Sequence, residues 1–592
     1  MEEKNTDALN LVLTAFTRNN EAMFNRREAW KDYYAYYNQT YPDPEDEDQY
    51  TNNSFDPILA EKMETYRPFL CRRIPDLQFV PREDSDADTA RKHEYWQRYM
   101  WYRQGMKQKR QAVSFFAGLL GTAALFHFYR KEEQEVWTRK FVDGVARETT
   151  EMMTVYDDPD CEVIDVMNDF FPDSIGTDID SCRNIVFRQY FHVDKLRTMA
   201  KGRDPWITNL PEELEEAYDG FQIAEKKNEL DRFNDNHNLT TLAEAGIVEL
   251  LNYWEDNRLI IVGHRSWVLR DSKNPFKALR KKKPFSLFKF LDDPLQFWGK
   301  GLGDLCVKTQ YTANVLERLI IDAAKQALRR GAIAPFGAGV DISPLYEGEK
   351  YVVEGPASGR PMEFLPAPNF SNIGMITRAD LRSRADSVTG APPLFAGMTG
   401  GGGDSATESR IMQSNLMQRA IYVLGNQDFG YSNWMKKNVA MAAQYYPEKK
   451  DYRIYAEGGG GLFQGTITYD ELMSGVDVEV KSNSGQPITA DDRSLQADQM
   501  LARFGQDQWF RPRPLRETAM KMMELPVDSD KLLYSEQEMA QQQQAQMQAA
   551  KDQDDREKQH ELRLTMARAM FKDASAEEAA MAPVETPAGV QQ

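Results

Sequence analysis

Few of the 592 residues sit in patterns that do chemistry. The most suggestive is the stretch GMTGGGGDS, in which Gly397, Gly400, Gly401, Gly402 and Gly403 precede Asp404. A phosphate-cradling loop needs a lysine directly after its glycines, and this one has an aspartate there. ATP hydrolysis is therefore not expected. The six histidines, His93, His127, His192, His237, His264 and His560, contain no HExxH and no pair at ligand spacing. Cys71, Cys161, Cys182 and Cys306 lie far apart and form no CxxC, so neither a zinc cluster nor a disulfide framework is expected. No Ser or Cys occupies a GxSxG turn. The adjacent acids Asp157-Asp158 and Asp292-Asp293 read as turn residues on solvated surface. The expectation is a non-enzyme with no cofactor and no metal.

Charge gives the next constraint. Against 73 Lys and Arg stand 92 Asp and Glu, a net of −19, so the molecule as a whole repels nucleic acid. That disfavours a tight DNA clamp and suits a surface past which DNA slides. The basic run Lys277, Arg280, Lys281, Lys282 and Lys283 is either a solvated loop or a contact for nucleic acid or a scaffold. At 41% apolar and 28% charged residues the chain is globular, and its length calls for two to four folded units. The start MEEKNTDALN lacks the apolar core of a signal peptide, which points to a chain made and kept in the cytoplasm. The uncharged run Val113 to Phe126 spans 14 residues, short of the about 20 a membrane helix needs, and reads as a core helix.

The elements that would position any site follow from periodicity. An N-terminal amphipathic helix is broken by the acidic loop TYPDPEDEDQYTNNS, and Ile58, Leu59, Met63 and Tyr66 then mark the inner face of a second helix. RIPDLQFVPRED reads as a short extended exit. From Val136 alternation favours strands: EVWTRKF, TTEMMTVY, NIVFRQYFHV, RLIIVG and RSWVLRD form a half-buried sheet in an α+β module. Asp304 to Arg330 is a long amphipathic helix whose apolar row runs Val307, Tyr311, Val315, Leu319 and Ala323, with Leu316 and Ile320 beside it. It spans about 27 residues, or roughly 40 Å. A turn-rich insert of about forty residues follows, then a second helix from Ser371 to Thr389, then the glycine loop. So small an insert buries little apolar surface alone and needs neighbouring subunits. A further helix, ATESRIMQSNLMQRAIYVLG and beyond, leads to hairpin strands, with VDVEVKS re-entering the first module. The Gln-rich tail shows apolar spacing too irregular for a coiled coil, and its last residues read as disordered.

The segment NPFKALRKKKPFSLFKFLDDPLQFWGKGLGDLCVKTQYTANVLERLIID, with the second helix and TGAPPLFAGMTGGGGDSATESRIMQ, resembles the portal family of tailed bacteriophages, most nearly the portals of short-tailed phages. The likeness covers about Arg265 to Asn438 by motif and the rest by element order.

That resemblance implies the portal fold: a mixed wing, long stem helices, a small α/β clip and a helical crown. It implies an N-terminal wing at 1–302, stem helices at 303–330 and 371–389 around a clip at 331–370, and a tunnel loop at 390–409. A C-terminal wing at 410–490, crown helices at 491–545 and a flexible or helical tail at 546–592 complete the chain. The implied assembly is a homo-oligomeric ring, usually of twelve, at the portal vertex of the virion, packaging and later ejecting the genome. Double-stranded DNA passes through it without sequence specificity. Its implied partners are the terminase large subunit, head-to-tail adaptor proteins, and the major capsid and scaffold proteins; no membrane is involved. Gly397, Gly400 to Gly403 and Asp404 would form the tunnel loop. Lys308, Arg318, Lys325, Arg329 and Arg330 would face the channel, the neighbouring stem or solvent. Glu347, Lys350, Glu354 and Arg360 would offer the clip's partner surface. The alternative is another structural adaptor of the virion head or tail. A packaging ATPase or nuclease is disfavoured by the missing phosphate loop.

Overall fold

The computed structural model describes residues 2–41, 52–71, 77–80, 87–142, 145–173, 175–201, 205–211, 247–279, 282–328, 332–333, 363–364, 371–390, 406–455, 462–473, 477–480, 498–503, 548, 551 and 555–569. In chain order the elements are α1 (Glu2–Tyr37), α2 (Ile58–Cys71), β1 (Leu77–Val80), α3 (Ala87–Arg103), α4 (Met106–Leu120), β2 (Thr122–Val142), β3 (Val145–Ile164), β4 (Phe170–Pro172), β5 (Asn184–His192) and α5 (Val193–Met199). There follow β6 (Ile247–Glu255), β7 (Arg258–Gly263), β8 (Trp267–Lys273), β9 (Phe285–Lys289), α6 (Leu302–Leu328), β10 (Ala332–Ile333), β11 (Glu363–Phe364), α7 (Ser371–Thr389), α8 (Ala406–Tyr445), β12 (Lys449–Tyr455), β13 (Leu462–Thr468), α9 (Tyr469–Met473) and β14 (Asp477–Val480). The fold is α+β. One compact unit holds Met1–Ile454 with Gln464–Pro487; the other holds Tyr455–Phe463 with Ile488–Gln592. In the second unit, 555–569 is helical and exposed on every side.

The two largest sheets of the first unit are antiparallel. Five strands run in the order β4-β5-β6-β7-β8, and three in the order β3-β2-β9. In β6 and β7 nearly every residue is buried on both faces, which produces continuous apolar runs in place of alternation. α1 lies on this sheet through Phe16, whose ring meets Phe171 edge-on at 4.9 Å. Ile58, Leu59, Met63 and Tyr66 are all buried, as the spacing of α2 predicts. α3, α4 and α8 share a second core around Trp96, Trp101, Tyr431 and Trp434. β14 returns to pair antiparallel with β1, so the late strand does rejoin the first module.

Three expectations change. The apolar run Val113 to Phe126 is not one helix: α4 stops at Leu120, Gly121 takes φ +91°, and Thr122 begins β2. A continuous apolar stretch hides the change from helical to strand period. Asp157 and Asp158 lie in β3, not a turn, and Asp158 is 1% exposed. Tyr99, Arg103 and Tyr446 all donate to the Asp158 carboxylate. The sheet is half-buried only at its base: Trp137, Met152, Met153 and Val155, on the outer half of the β2–β3 hairpin, are exposed. No helix among the described residues is long and apolar enough to cross a membrane.

Candidate functional site

The helix pair α6 and α7, joined through the small insert, is the feature that the sequence singles out. Its attachment begins at WGKGLGD. A Cβ on Gly299 would stand 2.6 Å from the Gly121 carbonyl oxygen, and one on Gly301 2.5 Å from the Gly121 nitrogen. These glycines let one backbone lie directly on the α4–β2 turn, where Gly121 itself needs its left-handed conformation. Asp304 then fixes the first turn of α6. It accepts from the Gly301 N–H at 2.9 Å and from both Arg26 Nη atoms at 2.6 and 2.9 Å. The Tyr33 hydroxyl donates to it at 3.1 Å. Burial and the Asp304 carboxylate push the Tyr33 phenol well up, so it stays a proton donor.

Farther along, α6 turns a polar row inward. The side-chain oxygens of Asn314 and Gln310 accept from the backbone N–H groups of Asp56 and Leu59 at 3.1 and 2.9 Å. These donors sit at the start of α2, where a helix has no partners of its own. The fully buried Asp56 carboxylate accepts from Arg378 Nε at 3.2 Å, Arg382 Nε at 3.2 Å and Arg382 Nη2. The Asp56 carboxylate is the first cause of the raised Arg382 pKa. Arg378 also reaches Glu317 at 2.9 Å, and Lys62 reaches Asp386 at 2.5 Å. Ile58, Ala313, Leu381 and Ala385 close a small apolar cluster in the middle. α2 is thus gripped between the two long helices. At the far end β10 pairs antiparallel with β11, Ala332 opposite Phe364 and Ile333 opposite Glu363, so the two ends of the insert meet.

Of the basic positions predicted on this helix, Lys308 and Lys325 are exposed, and Lys325 lies 3.6 Å from Asp322. Arg318 is a correction. It is 1% exposed, with its guanidinium 3.4 Å from the centre of the Tyr41 ring, so within the chain it faces neither a channel nor solvent. Lys283 is a second correction: it is fully buried, bonded to Asp256 at 2.7 Å and to the Cys182 carbonyl at 2.7 Å. It is a packing residue, not part of a solvated loop or nucleic-acid patch. Lys282 pairs with Asp180 at 2.9 Å, and Lys277 is exposed. Arg329, Arg330, Glu347, Lys350, Glu354, Arg360, Gly397, Gly400, Gly401, Gly402, Gly403 and Asp404, like Arg280 and Lys281, lie outside the described residues.

The predicted apolar row of α6 is split: Val307 packs against the main core and Leu316, beside the row, against the small cluster, whereas two of its members are exposed. Tyr311 is 49% and Leu319 42% exposed, and on α7 Met375, Ile376 and Val388 are exposed too. Arg378 and Arg382, four apart on α7, carry the one sequence signal that marks the knot, a shared helix face aimed at an acid. Nothing in the spacing of Asp56 reveals it as their partner. Burial pushes the thiols of Cys161, Cys182 and Cys306 up to about 12, which makes them inert packing groups. Among the described residues no group of three or more His, Cys, Asp or Glu could hold a metal ion.

No family model matches the chain, and no curated protein matches it. Among solved structures, one described as "Neck of empty GTA particle computed with C6 symmetry" shares 11% identity with a TM-score of 0.32, covering 78% of this chain and 90% of that one. A TM-score of that size establishes neither a shared fold nor a shared role.

Proposed function

We propose that this chain is a portal subunit: a ring-forming structural protein through which a tailed phage's DNA enters and leaves the capsid, with no catalytic role of its own. The observation that carries the reading is the helix-insert-helix unit. α6 and α7 are clamped to the body by a polar inner knot, while their outer faces carry exposed Tyr311, Leu319, Met375 and Ile376. An apolar helix face that the chain itself leaves bare suits side-by-side packing in a closed ring. In this reading the insert at 331–370 meets the terminase and later the adaptors, and the loop at 390–409 lines the narrowest part of the channel. The net charge of −19 keeps DNA from adhering. Electron microscopy of the purified protein tests it. Rings with a central hole are expected, and Leu319→Glu combined with Tyr311→Glu should abolish them. A chain that stays monomeric at every salt and protein concentration overturns the reading.

A further inference from the structure

The β2–β3 hairpin is far longer than its sheet requires. β9 pairs with β2 only over Thr122–Phe126, whereas the β2–β3 ladder continues to Val142 and Val145. From Lys131 outward the ribbon extends about 40 Å at 3.3 Å per residue. A two-stranded ribbon of this kind is at best marginally stable in water, and among the described residues no further strand pairs with either of its edges beyond Phe126. Its outer half also carries apolar side chains on both faces: Trp137 is 59% exposed, Met152 60%, Met153 49% and Val155 43%. From Lys131 outward the two strands carry Lys131, Arg139, Lys140 and Arg147 as well as Glu132, Glu133, Glu135, Glu148 and Glu151. Glu133, which pairs with Lys131 at 2.9 Å, and Glu135 share the face of Trp137 and Met152, so that face is both apolar and acidic.

A face of opposite character lies on α3. Its inner side is buried through Trp96, Met100 and Trp101. Its outer side presents Tyr95 at 41% and Tyr102 at 49% exposure, with exposed Arg98 between them, at the spacing of one helix face, and exposed Lys107 follows at the start of α4. Exposed tyrosines around an arginine are the residue types that anchor protein interfaces.

We propose that the outer half of the β2–β3 hairpin is an intersubunit clasp that docks on the Tyr95–Arg98–Tyr102 face of α3 in an adjacent copy of this chain. The contact is head-to-tail, arm to helix, which closes into a ring under rotational symmetry. Trp137 and Met152 would cover the two tyrosines while Glu133 and Glu135 face Arg98 and Lys107. This partner assignment rests on the ring reading, and the test separates the two. The wild type, a Glu133→Lys/Glu135→Lys arm variant, an Arg98→Glu/Lys107→Glu helix variant and the four-fold variant combining both are compared by mass photometry across a dilution series. Either charge reversal should raise the concentration at which rings dissociate by at least tenfold, and the combined variant should return it to within about threefold of wild type. A Met152→Cys/Tyr102→Cys chain should yield a ladder of disulfide-linked oligomers on mild oxidation, which neither single cysteine variant gives. Rings that dissociate like wild type in both reversal variants, or that form no cross-link, overturn the clasp and leave the ring reading standing. A wild-type chain that never self-associates overturns both.

Discussion

Asp56 offers the sharpest test of how the long helices are held. Its carboxylate is fully buried and receives three guanidinium bonds, one from Arg378 and two from Arg382. A hydrogen bond to a charged group contributes about 1.5–3 kcal/mol in a favourable setting. The side chains of Arg378 and Arg382 are 38% and 41% exposed, so solvent screens them and each contact is worth less, closer to about 1 kcal/mol. The backbone bonds of residue 56 to Gln310 and Asn314 survive replacement by alanine. Asp56→Ala should therefore weaken the attachment of α7 by about 2–3 kcal/mol.

A chain of this size does not unfold in one step, so a global melting temperature is the wrong measure. Native-state hydrogen exchange reports local opening directly. Peptides from 371–389 should exchange about 30 to 150 times faster in Asp56→Ala, the factor that follows from about 1.4 kcal/mol per tenfold. Peptides from 87–103 should be unchanged. Asp56→Asn, which keeps an acceptor, should fall between variant and wild type. Exchange of α7 within threefold of wild type would show that the buried carboxylate does not hold the helix.

Two further outcomes follow from the packing. Gly301→Ala places a methyl 2.5 Å from the Gly121 nitrogen and 2.7 Å from the Leu119 oxygen, both backbone, and should cost about 1–3 kcal/mol. Gly425→Ala meets nothing within 4 Å in mid-helix and should instead stabilise by about 0.5–1 kcal/mol, so hydrogen exchange of peptides from 115–124 that is no faster in the Gly301 variant than in the Gly425 one would refute the close approach. Lys437 is buried, donates to the Lys283 carbonyl at 2.9 Å, and is pushed by burial from its ordinary value down to about 7. The folded state then binds fewer protons than the unfolded one between pH 7 and about 10, so this residue's contribution to stability rises with pH across that window by up to about 1.4 kcal/mol per pH unit. Lys437→Met should gain local stability at pH 7 and lose most of that advantage by pH 9.5, read as the difference from wild type in the urea concentration at which a protease first cuts within 406–445; a constant difference would refute it.

Much of the helical frame is legible in the sequence, because long elements with period 3.6 announce themselves. α7 spans Ser371–Thr389 in both readings, and the apolar spacing of α2 marks its buried face. The misreadings share a cause: a pattern along one segment does not say which distant segment it meets. WGKGLGD stands out as a motif, yet only the fold shows that its glycines press on Gly121. Lys283 reads as one charge in a run until Asp256, from a separate strand end, is brought to it. Asp157 and Asp158 read as turn residues because aspartate is uncommon in strands, and their partners come from distant segments: Tyr99 and Arg103 of α3, Tyr129 of β2, Tyr446 just after α8 and Lys450 of β12.

Arg318 shows the same limit and also explains the design of α6. Amphipathicity is usually read with the apolar face inward. Here the face toward the body mixes apolar Leu302, Cys306 and Ala313 with polar Gln310, Asn314 and Arg318, while Tyr311 and Leu319 stay about half exposed. Polar contacts suit the inner face because their geometry is directional: Gln310 and Asn314 cap α2 in one register only, and a one-turn slip of α6 would leave the backbone N–H groups of Asp56 and Leu59 without these acceptors. Buried polar groups of this kind add less stability than apolar packing would, and what they add is a defined position. The apolar row, non-directional and proportional to area, is what an association between copies requires. A ring subunit needs both properties in one helix, since its position must be fixed before assembly and its sticky face kept free until then. Under the proposed ring reading, α6 keeps its position through the polar contacts and offers Tyr311 and Leu319 to the adjacent copy.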